Sequence, residues 1–552
     1  MFRYRKPLFS GVMALVGTGL LIAAAFARPG LSVPSRDSSE QVKNGGTLRI
    51  SDPYDVDAID PARAFIPESW QMEQATCALL MRSADRLSRH GSLRIVPEVA
   101  AGGPRISRDG KKYTFTIRKG FRFNTGEHMT ARNFAYAINR DLNPTMQSPA
   151  ATYLQDVVGA WRVTSGAAAT ASGVLAKGNR LTIRLLRPVP DFTARMTMPF
   201  FCAIPLGLPI TREGASAPLP SAGPYYVARW EPGRALELVR NPLYRGGRPH
   251  HAARFVYTIG ESWERTLERM TRGETDYVYA TPARTPEEVI VELARRYGIN
   301  RSQFVVKPSG ALFFLALNSS RPLFRNNPKL RQAVNFAIDR AALTAERGPY
   351  SGTLTDQYLP PSMPGYRDAH IYPLRRPELS RARALAKGRT RAGKAVLYTA
   401  ARPLGLSYAR IIQDNLQRIG IEAEIKAFPP EVFFAKQLLR GEPFDIAWAA
   451  YAPDYLDPYS MLNLHFHGGA IGSFNSSHFD SPRYNRLLDH AAKLSGAARA
   501  RAYGAVDIDL ARNAAPRVAV SIFNQRLFVG ARVGCRILDP LTGLNLAAAC
   551  LR

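Results

Sequence analysis

The sequence predicts an α/β protein built on a parallel sheet with helices on both faces. Two observations carry that prediction: a strand–helix–strand–helix–strand succession over 395–450, and short runs of period-two alternation elsewhere, several of them opened by Gly/Asn turns. The composition agrees. Of 552 residues, 46% are hydrophobic and 21% charged, enough apolar surface for a sizeable core. Collagen, coiled coil and polytopic membrane protein are excluded, because there is no Gly triplet, no sustained heptad and one long apolar run.

That run lies at the start of the chain. Arg3, Arg5 and Lys6 precede an apolar stretch from Leu8 to Ala27 that closes on Ala25-Phe26-Ala27, the pattern of a secretory signal cut after Ala27. Its length also allows an uncleaved anchor. Residues 1–27 are therefore expected to be a signal peptide and 28–44, rich in Pro, Gly and Ser, a flexible tether.

The strands and helices follow in order. Thr47–Ile50 opens the folded part. Lys112–Arg118, after the Asp109-Gly110 turn, puts Tyr113, Phe115 and Ile117 on one face, and Leu181–Leu185 follows Gly178-Asn179 in the same way. The Ala-rich stretch 166–176 between them is expected to be an exposed loop. Ala235–Arg240 and Arg254–Ile259 are further strands. From Pro328 to Leu343 the apolar positions trace one helical face, with Asn327 suited to the cap and Pro328 to the first helical position. Then come strand Ala395–Ala400, helix Leu406–Ile419 stopped by Gly420, strand Ile421–Ala427, helix Pro430–Leu439 stopped by Gly441, and strand Phe444–Ala450. Open α/β sheets bind ligands outside the carboxyl ends of their strands. The loop after the last strand, Tyr451-Ala452-Pro453-Asp454-Tyr455-Leu456-Asp457-Pro458, is thereby a candidate site.

Export permits disulfides. Cys535 and Cys550 flank a short terminal stretch and are a candidate pair, whereas Cys77 and Cys202 sit in apolar runs and are expected to be buried thiols. The net charge is +30, from 74 basic and 44 acidic residues, scattered along the chain with no dense block beyond Arg375-Arg376 and 381–394. Such a surplus suits either a solvated basic surface or an anionic partner. His465 and His467, two apart, would share a face on a strand, and His250-His251 are adjacent, but no Cys or acidic residue completes a metal set. Walker, HExxH, GxSxG and zinc-deaminase patterns are missing, so the familiar phosphoryl transferases and hydrolases lack their residues.

Seven markers, in order, resemble the solute-binding proteins of ABC importers, family 5, the group of dipeptide- and oligopeptide-binding proteins. They are Gly45–Ile50 with Ile59-Asp60-Pro61, Asp109–Gly120, Phe123–Glu127, Gly223-Pro224-Tyr225-Tyr226, Arg240–Tyr244, Arg331–Arg340 and Asp454–Pro458. The resemblance implies a two-lobed periplasmic-binding-protein-like fold of the type II, large class. It places the first lobe at 45–65, 178–311 and 521–552, an inserted subdomain at 66–177, and the second lobe at 312–520. It also implies Asp454 as the partner of a peptide's α-amino group and Tyr451 as an aromatic wall, with Trp448, Phe65 and Asn318 as further ligand-binding candidates. No catalytic residue, metal or cofactor is implied, and no nucleic acid. The partners are a peptide or other small ligand and a membrane permease with its ATPase; the protein itself would be an exported monomer. Oligosaccharides, opines and nickel or other metal chelates are alternative ligands. An exported enzyme with an unrecognised site is the remote alternative.

Overall fold

A computed structural model describes residues 43–84, 94–280 and 285–552. The expected signal peptide and all but the last two residues of the tether lie outside the described residues. What is described belongs to a single unit, Gln41–Arg552.

Two long strands, Phe304–Leu317 and Arg517–Val529, run antiparallel from Phe304 opposite Phe528 to Ala316 opposite Arg517. On one side of them the eleven-stranded sheet continues through Ile446–Tyr451, Ala395–Ala400 and Ala423–Phe428. On the other it continues through Tyr277–Tyr279, Thr47–Asp52, Arg254–Ile259, Ala235–Arg240 and Tyr225–Glu231. The long strands thus belong to both lobes. Their register shifts between Pro308 and Leu312. Pro308 has no N–H to give the ladder, and a Cβ on Gly310 would stand 3.2 Å from both Pro453 and Leu541. The ladder between the long strands therefore loses its regular pairing at this point.

In the second lobe, Ala395–Ala400 pairs parallel with both Ala423–Phe428 and Ile446–Tyr451, the arrangement the sequence predicts. The helices between them are Pro403–Gln417, which starts three residues earlier than expected because Pro403 takes the first helical position, and Pro430–Lys436. The stretch read as one helix from Pro328 is two, Pro328–Ala337 and Arg340–Ala345. Asp339 breaks it by accepting the Ala342 N–H at 2.9 Å as the cap of the second.

A separate four-stranded antiparallel sheet forms the inserted subdomain: Arg105–Ile106, Lys112–Thr116, Arg180–Arg184 and Val174–Lys177. Arg180–Arg184 pairs along its length with Lys112–Thr116, so the subdomain extends past residue 177, and its core runs on to Phe201 and Ala203. Val174–Lys177 corrects the expectation of a loop up to residue 176. The hairpin turn Gly178-Asn179, with Gly178 at φ +58°, holds it against Arg180–Arg184.

Several family markers are braces rather than chemistry. Asp60 and Arg140, each 1% exposed, form a two-pronged ion pair that ties the first lobe to the helix Ala131–Leu142 of the subdomain, with Oδ1 2.7 Å from Nη1. Asn241 donates to the carbonyls of Ser221 and Gly223, and a Cβ on Gly223 would stand 2.0 Å from the Thr76 carbonyl oxygen, so only glycine fits.

Both cysteine pairs are disulfides, Cys535–Cys550 and Cys77–Cys202. The second corrects the expectation of buried thiols. Cys77 ends the helix Pro67–Thr76 and Cys202 ends the short turn Pro199–Phe201, and packing brings their Cα atoms to 5.3 Å across 125 residues of sequence.

Two tests follow from this packing. Chain entropy makes the longer loop the stronger constraint, about 5 kcal/mol against about 3 kcal/mol. In denaturant unfolding, the double variant Cys77→Ala/Cys202→Ala should therefore lose more stability than Cys535→Ala/Cys550→Ala. Glu73 is fully buried, and neither carboxyl oxygen has a hydrogen-bond partner among the described residues. Burial pushes its pKa well above the ordinary carboxylate range, and the nearby Asp60 adds to the shift. Folding takes up a proton there, so this group destabilises the protein as pH rises above the unfolded value of about 4.3. The Tm of Glu73→Gln relative to wild type should be most favourable near neutral pH, and the difference should shrink towards about pH 4.

Candidate functional site

Two adjacent parallel strands of the second lobe, Ala395–Ala400 and Ile446–Tyr451, end on the same side of the sheet, the second two residues beyond the first, since Leu397 stands opposite Ile446. The loop that follows the second, Tyr451 to Asp457, lies against the inserted subdomain. Tyr153 donates its hydroxyl to Asp454 Oδ2 at 2.6 Å, and the Tyr455 hydroxyl donates to Asp191. Arg195 holds Asp191 at 2.9 Å and Asp156 at 3.3 Å, so the subdomain meets the loop with an ordered acid–base network.

Asp454 and Asp457 have different roles. Asp457 caps the helix Pro458–Phe466 through the Tyr459 N–H at 2.8 Å and pairs with Arg499 at 2.8 Å. Asp454 has no cationic partner among the described residues. Burial raises its carboxyl pKa, and the Tyr153 hydrogen bond offsets part of that rise. A half-buried carboxylate held by one neutral hydroxyl is a site that a ligand's ammonium group would satisfy better.

Tyr451 is half-buried, its ring perpendicular to the His465 ring at 4.3 Å. Phe65, 45% exposed, stacks on Phe200 at 6.0 Å, which in turn stacks on Tyr153 at 6.3 Å, so an aromatic chain connects Phe65 to the hydroxyl on Asp454.

Two other candidates are elsewhere. Trp448 is 3% exposed, its indole N–H is taken by Thr399 at 2.9 Å, and Phe433, Phe434 and Tyr408 enclose it; it is a core residue. Asn318 is fully buried just past the end of the strand Phe304–Leu317, beyond the part where Leu312 pairs with Tyr451. Its side chain closes onto Phe444 and Ser320, and the lobes cross nearer Pro308. His465 lies on a helix, not a strand, and His467 is the extended residue just past that helix's end, so the two do not share a strand face. Burial and the neighbouring Arg517 hold His465 well below the usual imidazole range, in the neutral form.

Tyr153 at the site and Arg402 at the neighbouring strand end escape the sequence reading. Tyr153, in the turn Pro149–Leu154, carries no pattern that marks it, and its partner is 301 residues away. Arg402 follows the strand Ala395–Ala400 as the Tyr451 loop follows its own, so the carboxyl-end rule was sufficient to find it. It is exposed, begins the helix Pro403–Gln417, and its guanidinium lies 5.9 Å from the Trp448 ring centre.

The family model of bacterial extracellular solute-binding proteins, family 5 Middle, matches residues 94–473. The chain is 24% identical to the periplasmic oligopeptide-binding protein of Escherichia coli (strain K12), over 98% of each chain. It is 22% identical to a dipeptide-binding protein of Bacillus subtilis (strain 168), over 93% of this chain and 94% of that one. Among solved structures, the clavulanic acid biosynthesis oligopeptide binding protein 2 matches 92% of this chain and 96% of its own, with 26% identity and a TM-score of 0.78. A periplasmic murein tripeptide binding protein in its unliganded open form matches 92% and 98%, with 19% identity and a TM-score of 0.76. With the two-lobed sheet, the inserted subdomain and a match over more than half its length, the chain belongs to the family 5 extracellular solute-binding proteins.

Proposed function

We propose that the protein is the solute-capturing component of an ABC importer and binds a peptide between its lobes, anchoring the α-amino group on Asp454. The observation that carries this reading is the Asp454 carboxylate itself, which is half-buried, without a cationic partner among the described residues and reached by the Tyr153 hydroxyl from the opposite wall. The peptide-binding names of the relatives across the full length of the chain support it. In this reading the ligand's ammonium takes over the position of the Tyr153 hydroxyl, and its contacts with both walls favour the closed arrangement of the lobes.

The same strand ends offer an opposite charge. Arg402 precedes a 15-residue helix whose first turn has no side-chain cap, so its free N–H groups and positive dipole end add to the guanidinium. A carboxylate acceptor and a cationic end on neighbouring loops match a zwitterion, which favours a peptide with free termini over a neutral sugar. Phe65 and Tyr451 would flank the chain between those ends. Release to a permease leaves the ligand unaltered, since the site holds binding groups and the function needs no nucleophile.

Calorimetry with Ala-Ala-Ala, its N-acetylated form and its C-amidated form tests this. The free tripeptide should bind, and N-acetylation or Asp454→Asn should each weaken binding by about 100-fold or more, as removal of one partner from a desolvated ion pair does. The Tm of the ligand-free Asp454→Asn protein should stay close to wild type. Equal affinity for free and acetylated peptides would reject Asp454 as the anchor. Arg402→Gln should weaken the free tripeptide to the affinity of the amide and leave the amide unaffected.

A further inference from the structure

The outward face of the inserted subdomain's sheet is made of cations and hydroxyls. Along Lys112–Thr116 and Arg180–Arg184 the exposed positions alternate with buried ones, and register places Lys112 directly opposite Arg184 and Thr116 opposite Arg180. On the next strand, Lys177 stands opposite Arg180. Arg105 adds a fifth positive group at the other edge, opposite Thr114. None of the four strands contains an acidic residue, and none of the five cations has an ion pair among the described residues. Like charges directly opposite on a sheet are destabilising. Two such pairs, Lys112–Arg184 and Lys177–Arg180, mark a face arranged for something other than stability.

The middle of this face is Thr114 and Thr182, with hydroxyls 3.4 Å apart, and Leu175, 42% exposed, opposite Thr182. The core of a protein–protein interface is depleted of charge and enriched in aromatic side chains. Here charges surround two hydroxyls and one leucine with no aromatic side chain, a composition suited to phosphate oxygens. The two charged ends are four residues apart along the strands, roughly 13 Å, farther than one small anion spans and more than a Debye length of about 10 Å at 0.1 M salt.

We infer that this sheet face docks on an anionic phospholipid surface, with the cations contacting several headgroup phosphates and the Thr114–Thr182 pair donating between them. A basic residue near an anionic membrane contributes attraction that salt screens. Such docking would hold a solute-binding protein close to the membrane that carries its importer, independently of which solute it binds.

The test is cosedimentation of the purified protein with vesicles of phosphatidylcholine, with and without one-third phosphatidylglycerol. Binding to the mixed vesicles is expected at low salt, with loss as NaCl rises above the concentration that shortens the Debye length below the face's own span. The variant Lys112→Thr/Arg180→Thr/Arg184→Thr should bind at least about ten-fold more weakly, and its Tm should not fall, because the like-charge pairs are relieved. Arg105→Gln/Lys177→Gln, on the edge strands, gives a second and smaller loss and guards against misfolding of the first variant. Equal binding to both vesicle types, or undiminished binding by both variants, would overturn the proposal. Retention on a sulfated glycan without vesicle binding would overturn the lipid assignment.

Discussion

The antiparallel ladder between Phe304–Leu317 and Arg517–Val529 is the constraint on which the rest of the structure depends. Each strand enters both lobes, so one run of hydrogen bonds joins two sheets into eleven strands and sets the level of every neighbouring strand. Through that register, Leu312 fixes Tyr451 and so determines where the Asp454 loop emerges. The same ladder slips register between Pro308 and Leu312, where Gly310 lets Pro453 and Leu541 approach closely, and again between Phe313 and Phe314. The lobes are therefore firmly built on either side of a locally weakened crossing, which is the physical requirement for a protein that closes on a ligand.

The second lobe is braced from inside by arginines that meet carbonyl oxygens rather than carboxylates. Arg340 donates to Ala519 and Asn335, Arg331 to Ala514, and Asn335 in turn donates to the Arg517 carbonyl. Burial lowers the pKa of Arg340 to about 10 and that of Arg517 to about 9, still protonated at neutral pH. A buried cation without an anion is expensive unless its donors are met. Backbone carbonyls meet most of the donors of Arg331 and Arg340, and Ser476, Ser477 and His465 meet those of Arg517, so the charges fix the packing of helix Pro328–Ala337 on the long strand. The long run of family markers at 331–340 belongs to this brace and not to the ligand site.

How much of the site was legible in the sequence depends on the range of each interaction. The loop carrying Asp454 and Tyr451 was legible because it follows an apolar strand in a parallel succession, a local pattern with a topological consequence. Arg402 was equally legible by that rule. Tyr153 was not, since its role exists only where the inserted subdomain meets the second lobe. Trp448 and Asn318 illustrate the converse: their places along the chain made them candidates, and both are buried with their side chains hydrogen-bonded inside the lobe. The cationic sheet face is invisible to a scan for charge runs, because Lys112 and Arg184 become neighbours only through strand pairing.

By itself the sequence determined the α/β class, the parallel order in the second lobe and the carboxyl-end loop, because hydrophobic periodicity, Gly and Pro punctuation and caps act over a few residues. Only the tertiary structure decided that Cys77 meets Cys202, that Asp60 pairs with Arg140 and that Asp454 faces Tyr153. Those contacts join residues far apart in the chain. Their geometry follows from how whole elements pack, which no local pattern encodes.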